Sequence, residues 1–380
     1  MNTADRLQNV QEYYFSKKLR EVRGLMETGR PIINMGIGSP DLAPAKEVLE
    51  ALRDSLMDPM AHQYQSYQGL PELRRAFAGF YRKKFKVAID PATQVLPLMG
   101  SKEGIMHISM AFLNPGDQAL LPNPGYPTYG SVTRLVGAEP IPYELDRERG
   151  WFPDLKALSR RDLSKVKLMW VGYPHMPTGA MASGEQLRAL VDFARAHDIL
   201  LVNDNPYSFV LARDPKSLLA IEGALDCCLE LNSLSKTFNM AGWRVGMVLG
   251  SAEHISAVLQ VKSNSDSGMF YGIQKGATVA LQSGPKWFEA LDAVYTGRRE
   301  LMYRLADSLG CSYDRDAVGM FLWAKLPEGA LASEAFIDKL LYEKDLFIAP
   351  GTIFGSKGEG YIRFSLCVKE EKIMEAIKRF

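Results

Sequence analysis

The sequence has few of the features that would classify a protein at sight. Its 380 residues include only four cysteines, with no CxxC pair, and 45 Lys and Arg stand against 44 Asp and Glu. So few cysteines in this arrangement argue against a disulfide framework and against a cysteine-based zinc site. The net charge of +1 argues against DNA or an anionic membrane as partner, since both require a clustered basic excess.

Long hydrophobic runs are also missing. No uninterrupted apolar stretch approaches the ~20 residues that a membrane-spanning helix needs. The first ten residues include Asp5 and Arg6 and lack the apolar core of a secretory signal. We therefore expect a cytoplasmic protein whose cysteines stay reduced and pack as small hydrophobic residues. Hydrophobic residues at 47% exclude global disorder, and at roughly 150 residues per domain the length predicts two domains.

Short apolar runs alternate with helical patterns in the middle of the chain. Each run has the length and the Leu and Val content of a strand that is buried on both faces. A capping box at Ser183 and Gln186 begins a clear helix between two of the runs. This alternation predicts an α/β fold with a mostly parallel sheet. The runs are residues 118–122, 167–172, 199–203, 227–231 and 244–249.

The pattern changes after about residue 285, where longer helical stretches and separate short strands follow. We expect a large domain over residues 45–285 that carries the parallel sheet. A smaller α+β domain is then formed by both ends of the chain, residues 1–44 and 286–380.

The most informative segment runs from Ser233 to Arg244 and contains Lys236. It follows a buried run, so Lys236 lies just beyond the carboxyl end of a predicted strand, where open α/β sheets bind ligands. Apolar neighbours would desolvate this lysine, lower its pKa and favour the neutral amine that forms a Schiff base. Ser233 and Arg244 together suit a phosphate group, which an arginine can bind through two hydrogen bonds.

This segment, Ser-Leu-Ser-Lys-Thr-Phe-Asn-Met-Ala-Gly-Trp-Arg, resembles the lysine motif of the class I and II aminotransferases, the aspartate aminotransferase superfamily of pyridoxal phosphate (PLP) fold type I. The resemblance implies a seven-stranded, mostly parallel sheet and PLP as the cofactor. It also implies that Lys236 forms the Schiff base with PLP and that Ser233 and Arg244 hold the phosphate.

Other parts of the family pattern occur in the expected order. A protonated PLP ring nitrogen requires a carboxylate partner, and the resemblance assigns this role to Asp204. In the same Asp-x-x-Tyr motif, Tyr207 would donate to the phenolic oxygen of the ring. Ser101 and Lys102 match the family's phosphate loop, which opens a predicted helix over residues 105–113, and Tyr126 matches the aromatic residue that stacks on the cofactor.

The resemblance extends to the substrate and covers residues 30–366. Arg363 matches the arginine that binds the substrate α-carboxylate, and Gly38 matches the glycine whose backbone lies against the substrate. Tyr64 resembles the tyrosine that reaches the phosphate of the neighbouring subunit. The active unit implied is a homodimer with composite sites.

One position departs from the family. Met176 stands where the pattern has asparagine, and a thioether cannot donate a hydrogen bond to the phenolic oxygen. Tyr207 would then make that interaction alone. His175 is a possible substitute donor, but in an extended strand it would point to the face opposite Met176. Loss of one donor to the anionic oxygen predicts a higher pKa for the lysine–cofactor Schiff base.

The leading functional hypothesis is a PLP-dependent aminotransferase with a ping-pong Schiff-base mechanism. Its best-guess donor is aspartate or an aromatic amino acid, and its acceptor is a 2-oxo acid such as 2-oxoglutarate. A PLP-dependent lyase or decarboxylase on the same fold is the alternative, because the fold alone does not separate these reactions. A PLP-binding regulator is a more remote alternative, since it would need an added DNA-binding module. The residues alone indicate neither a metal site nor the identity of the donor.

Overall fold

The computed structural model describes residues 2–8 and 14–380 of the chain. The strands in this part are β1 Ile33–Asn34, β2 Val95–Leu98, β3 Gln118–Asn123, β4 Glu139–Glu144, β5 Val166–Val171, β6 Leu200–Asp204, β7 Cys228–Ser233, β8 Gly246–Leu249, β9 Ser312–Tyr313, β10 Phe321–Lys325, β11 Leu346–Phe347, β12 Ala349–Pro350 and β13 Tyr361–Ser365. The helices are α1 Tyr14–Glu27, α2 Lys46–Ser55, α3 Pro71–Phe85, α4 Ser101–Phe112, α5 Thr128–Leu135, α6 Leu155–Leu158, α7 Gly184–Ala196, α8 Ala224–Cys227, α9 Leu234–Thr237, α10 Ala252–Ser263, α11 Tyr271–Ala280, α12 Pro285–Ser308, α13 Ser333–Lys344 and α14 Glu370–Ile377.

A seven-stranded sheet in the order β2-β8-β7-β6-β5-β3-β4 forms the centre of the protein. Strands β3 to β7 run parallel to one another, whereas β8 is antiparallel to both β2 and β7. The predicted α/β class and mostly parallel sheet are therefore confirmed. Strands β2, β7 and β8 are buried along their whole length, because helices cover both faces of the sheet.

Two apolar clusters separate along the two faces of this sheet. One face packs against α3 and α7 through residues such as Phe77 and Leu190, and the other against α4 and α10 through Ile105 and Ile255. Helix α7 begins at the predicted capping box, in which Ser183 and Gln186 bond each other's backbone N–H groups. Helix α4 begins at Ser101, four residues before its predicted start.

A second, four-stranded antiparallel sheet in the order β12-β13-β10-β9 lies in the last third of the chain. The short parallel pair of β1 with β11 joins the two ends of the chain, with Ile33 opposite Leu346. Val22 and Met35 of the N-terminal segment pack with Met302, Leu341 and Phe364 in a third apolar cluster. Both ends of the chain thus share one core.

No helix in residues 2–8 and 14–380 is long and apolar enough to cross a lipid bilayer. The four cysteines are free thiols, as the sequence predicts.

Candidate active site

A cavity of about 360 Å³ lies at the carboxyl ends of the central strands. The loops after β5, β6 and β7 contribute to its lining, as does the N-terminus of α4. Ten of the eleven residues predicted from the sequence line this cavity: Gly38, Ser101, Lys102, Tyr126, Asp204, Tyr207, Ser233, Lys236, Arg244 and Arg363. The eleventh, Tyr64, lies outside it with 90% of its surface exposed.

Lys236 lies in α9, the single helical turn that follows β7. Its Nζ donates a hydrogen bond to the carbonyl oxygen of Gly38, at 2.7 Å. Burial lowers the pKa of this amine, and the positive charges of Arg363 and Arg244 act in the same direction. A Cβ atom on Gly38 would collide with the ring of Phe321, so this close approach of the backbone requires glycine. The lysine is thus held in a place that favours its neutral form.

One end of the cavity is suited to a phosphate group. The hydroxyls of Ser101 and Ser233, the amine of Lys102 and the guanidinium of Arg244 lie there, at the N-terminus of α4. Free backbone N–H groups at a helix start and basic side chains both favour a bound anion. A Cβ atom on Gly100 would collide with the Arg244 guanidinium, and the φ angle of Gly100 is +90°. Glycine is therefore required where the loop passes Arg244.

Asp204, at the end of β6, has one satisfied and one unsatisfied carboxylate oxygen. Its Oδ2 accepts a hydrogen bond from the Tyr129 hydroxyl at 2.9 Å. Its Oδ1 is buried without a hydrogen-bond partner among the described residues. Burial raises the pKa of this carboxyl to about 6, against which the bond from Tyr129 acts. An unpaired buried oxygen is costly, so a cationic N–H group in the cavity would stabilise it.

Tyr129 is a residue that the sequence analysis missed. Its ring stacks on Trp170 of β5 with centroids 4.8 Å apart, and this contact fixes the position of its hydroxyl beside Asp204. The only signal in the sequence was a second tyrosine three residues after Tyr126, which places both side chains near the start of α5.

Tyr126 and Tyr207 bring two further hydroxyls to the cavity. The Tyr126 ring packs edge-on against Tyr129, and the Tyr207 ring packs edge-on against Phe321. Burial raises the pKa of both phenols, so each remains a neutral group that can donate a hydrogen bond.

Arg363 in β13 is buried, and two aromatic rings lie close to its guanidinium. Its guanidinium carbon lies 3.9 Å from the ring centre of Phe321 and 4.6 Å from that of Phe354. Nη2 donates to the carbonyl oxygen of Gly36 at 2.9 Å, and Nη1 lies 3.4 Å from the sulfur of Met176. These contacts hold the planar group in one orientation, which suits recognition of a carboxylate. The two phenylalanines were not foreseen, since nothing in their local sequence marks them.

His175 and Met176 correct one expectation. Both line the same cavity, although alternation along a strand predicted opposite faces. The reason is that β5 ends at Val171, and residues 172–180 form a turn in which that alternation does not apply. The Nδ1 atom of His175 lies 2.8 Å from the Thr178 hydroxyl, and burial lowers the pKa of the imidazole to about 4.

Apolar side chains contribute to the lining of the cavity, and we call six of them the apolar wall. The wall includes two side chains of α1, which the sequence analysis did not single out. Its members are Phe15, Leu19, Ile37, Met176, Phe321 and Phe354. The charged side chains in the described lining are Lys102, Asp204, Lys236, Arg244 and Arg363. Arg244 lies at the phosphate end, so Arg363 is the one arginine of this lining that remains for a substrate carboxylate.

One group of possible metal ligands lies outside the cavity. Oxygen and nitrogen atoms of Glu103, His107 and Asp266 lie within 4.8 Å of one another. The amine of the buried Lys262 already bonds Asp266, at 2.6 Å. A positive charge therefore stands at this carboxylate without a metal ion.

The residues present fit the cofactor that the sequence predicts. PLP carries a phosphate, an aldehyde, a phenolic oxygen and a ring nitrogen. The cavity offers a basic phosphate end, a desolvated lysine, phenol donors and, in the unpaired Oδ1 of Asp204, an acceptor for a protonated ring nitrogen.

Comparisons with known proteins agree with this geometry. The sequence model of the family "Aminotransferase class I and II" matches residues 30–380. LL-diaminopimelate aminotransferase from Aquifex aeolicus is 38% identical over 99% of this chain and 97% of its own length. The enzyme of the same name from Dehalococcoides mccartyi is 39% identical over 100% of this chain and 98% of its own.

Solved structures show the same fold. The substrate-bound structure of BacF from Bacillus subtilis superposes with a TM-score of 0.96 at 35% identity, covering 100% of this chain and 97% of the other. An aspartate aminotransferase mutant from Thermus thermophilus gives a TM-score of 0.93 at 26% identity, covering 100% and 99%. Both sequence relatives described above are named as LL-diaminopimelate aminotransferases. The chain therefore belongs to the class I and II aminotransferases, enzymes that transfer amino groups with the help of pyridoxal phosphate.

Proposed function

We propose that this aminotransferase takes its amino group from a long L-amino acid and passes it to a 2-oxo acid such as 2-oxoglutarate. The observation that carries the proposal is the apolar wall, which lies beside the single arginine in the described lining that suits a substrate carboxylate. LL-diaminopimelate is the first candidate donor, because the relatives named above carry it in their names. Its three central methylene groups would pack on the wall.

Lys236 is the proposed nucleophile and proton carrier. When bound, PLP supplies a ring that accepts the electron pair released at the substrate α-carbon. The lowered pKa of Lys236 favours the neutral amine, whose free electron pair can take up the proton from that carbon. The hydrogen bond from Nζ to the carbonyl oxygen of Gly38 holds the amine in place before this proton transfer.

The remaining cofactor contacts follow from the polar end of the cavity. In our proposal, Ser101, Lys102, Ser233 and Arg244 hold the phosphate, together with the N–H groups that open α4. Asp204 Oδ1 would accept a hydrogen bond from the protonated ring nitrogen, and Tyr129 keeps this carboxylate in place.

The two tyrosines of the cavity complete the proposed cofactor site. The Tyr126 ring stacks on the cofactor, and the Tyr207 hydroxyl donates to its phenolic oxygen. With Met176 in place of the family asparagine, Tyr207 makes that contact without an amide beside it.

The substrate is oriented by two elements. Arg363 binds its α-carboxylate through two of its guanidinium nitrogens, and contacts with Phe321 and Phe354 hold the guanidinium in place. Gly38 lets the backbone approach the substrate closely, because a side chain there has no room. The apolar wall then excludes water from the reacting carbon.

An aromatic amino acid is the second candidate donor. It is favoured by the aromatic side chains in the wall, Phe15, Phe321 and Phe354. Aspartate, the other donor considered from the sequence, is the weaker choice, because it has one methylene group to pack on this wall where LL-diaminopimelate has three.

Three further sequence predictions stay proposals. The large domain spans residues 45–285 and the small domain residues 1–44 and 286–380. The active unit is a homodimer in the cytoplasm, in which the exposed Tyr64 reaches the phosphate site of the partner subunit.

The test is a half-reaction screen of the purified, full-length PLP form. Single amino acids are added without acceptor, and conversion of the cofactor absorbance to that of its amine form is followed. We expect the rate per unit concentration for LL-diaminopimelate to exceed that for aspartate by about 100-fold, the scale on which a hydrophobic pocket discriminates.

A fastest reaction with phenylalanine would favour the second candidate. A fastest reaction with aspartate would contradict the proposed role of the wall. Release of ammonia or pyruvate with no amine form of the cofactor would contradict amino transfer itself.

A further inference from the structure

A buried carboxylate lies in the central sheet below the cavity and takes no part in the proposed reaction. Glu230, in the middle of β7, has no exposed surface. Five neutral groups donate hydrogen bonds to it, at 2.8–3.4 Å: the hydroxyls of Tyr81 and Ser217, the side-chain amides of Asn203 and Asn205, and the backbone N–H of Leu218. No Lys or Arg ion pair is found at Glu230 in the described part of the chain.

Burying a charged carboxylate without a cation is costly, and hydrogen bonds offset that cost only if they are kept. Burial raises the pKa of the Glu230 carboxyl, and the bonds from Asn203, Leu218, Ser217 and Tyr81 oppose this shift. An apolar residue would pack at this position of a central strand without that cost. The five hydrogen bonds to Glu230 therefore indicate that this carboxylate has a role other than stabilising the fold.

Two of the donors to Glu230, Asn203 and Asn205, connect it to the loops that follow β5 and β6. Asn203 accepts the backbone N–H of Tyr173 at 3.0 Å, which fixes the start of the turn that carries Met176. Asn203 also directly precedes Asp204, and Asn205 directly follows it. Glu230 thus bonds both neighbours of the carboxylate proposed to meet the ring nitrogen.

A third donor, Tyr81, connects Glu230 to the phosphate end of the cavity through Asn232. The Tyr81 hydroxyl accepts a hydrogen bond from the side-chain amide of Asn232 at 3.2 Å. The side-chain oxygen of Asn232 accepts the N–H of Ser233 at 2.7 Å, and its backbone oxygen accepts the hydroxyl of Ser101 at 3.4 Å. Asn232 thus contacts both serines that are proposed to bind the phosphate.

We propose that Glu230 is a positioning residue of the cofactor site, which acts through Tyr81 and Asn232 on the two phosphate-binding serines. This inference rests on the proposed function, because it assumes that PLP binds in this cavity. Through Asn203 and Asn205, the same carboxylate holds the strand end that presents Asp204. Glu230 contacts neither cofactor nor substrate.

The chain offers a matched pair of variants for a test. Tyr81 and Ser217 each donate one hydroxyl to the same oxygen of Glu230, at 2.8 and 2.9 Å. Each hydroxyl also accepts one N–H at 3.2 Å, from Asn232 and from Leu219 respectively. Only the Tyr81 hydroxyl continues to the phosphate end. Deleting either hydroxyl is a small change in the core, in contrast to removing the Glu230 carboxylate.

The experiment compares Tyr81→Phe with Ser217→Ala in the full-length protein. PLP affinity is measured by absorbance titration of the protein freed of its cofactor, and unfolding by urea is measured in the same preparations. We expect similar losses of stability in the two variants. The dissociation constant for PLP should rise about fivefold to tenfold in Tyr81→Phe, the scale of one hydrogen bond, and less than about twofold in Ser217→Ala.

Equal PLP affinities in the two variants, with tight binding by the wild-type protein, would overturn the positioning role of Glu230 alone. Wild-type protein that binds no PLP would overturn the proposed function and this inference together.

Discussion

The two halves of the cavity are built in different ways. The cofactor half consists of polar side chains at the ends of adjacent strands, such as Asp204 after β6 and Ser233 at the end of β7, and hydrogen bonds within one sheet hold them. The substrate half brings together the apolar wall and Arg363 from α1, the β5–α7 turn and the second sheet. In the proposed function, the chemistry common to the family therefore lies on one sheet, whereas selectivity depends on how distant segments pack.

The substitution Arg363→Ala should distinguish the roles of the two halves most clearly. We expect kcat/KM for any donor to fall about 10²–10³-fold, which corresponds to the loss of two charge-assisted hydrogen bonds. The PLP affinity should stay within about threefold of the wild-type value, because Arg363 is assigned to the substrate half. Steady-state kinetics and PLP titration of the same preparation measure both. A large loss of PLP affinity would show that the two halves are not independent.

The second prediction concerns the cofactor half and the pH dependence of stability. The pKa of Asp204 is raised to about 6 in the folded chain from a model-compound value of 3.8, so the folded state keeps a proton that the unfolded state releases. The free energy of unfolding of the cofactor-free protein therefore falls as pH rises from about 4 to about 6. Asp204 contributes about 3 kcal/mol to this decrease in the free energy of unfolding.

The measurement is urea unfolding across this pH range for the wild-type protein and Asp204→Asn. The difference between their free energies of unfolding should change across this pH range by the contribution of Asp204. A difference that stays constant with pH would contradict the raised pKa of Asp204. Tyr129→Phe serves as control. It removes the bond that lowers the Asp204 pKa, so the fall should extend to higher pH.

The cofactor half was predictable from the sequence nearly residue by residue. Asp204, Ser233 and Lys236 directly follow or end buried runs, and strand alternation with a known motif places them together. The substrate half was less accessible. Phe15 and Phe354 carry no local signal, since distant segments place them in the cavity. The Phe15 ring packs against Phe347, and the carbonyl oxygen of Phe354 accepts the backbone N–H of Gly125. His175 lines the same cavity as Met176 for a local reason, because the turn after β5 does not follow the alternation of a strand.

The smallest expected effect concerns Met176, which lies where the two halves meet. Met176→Asn restores an amide donor beside the phenolic oxygen of the cofactor and should lower the pH midpoint of the cofactor absorbance change by about one unit. Met176→Leu, an apolar control without a donor, should leave the midpoint unchanged. A spectrophotometric pH titration decides, and an unchanged or higher midpoint in Met176→Asn would contradict the hypothesis.

Binding of PLP in this cavity through Lys236 can be tested by chemical trapping. The full-length PLP form is treated with borohydride, which reduces an imine to a stable amine, and is then digested and analysed by mass spectrometry. We predict one phosphopyridoxyl group per chain, attached to Lys236, and none on the corresponding peptide of Lys236→Ala. Attachment to another lysine, or no attachment in the wild-type protein, would contradict it.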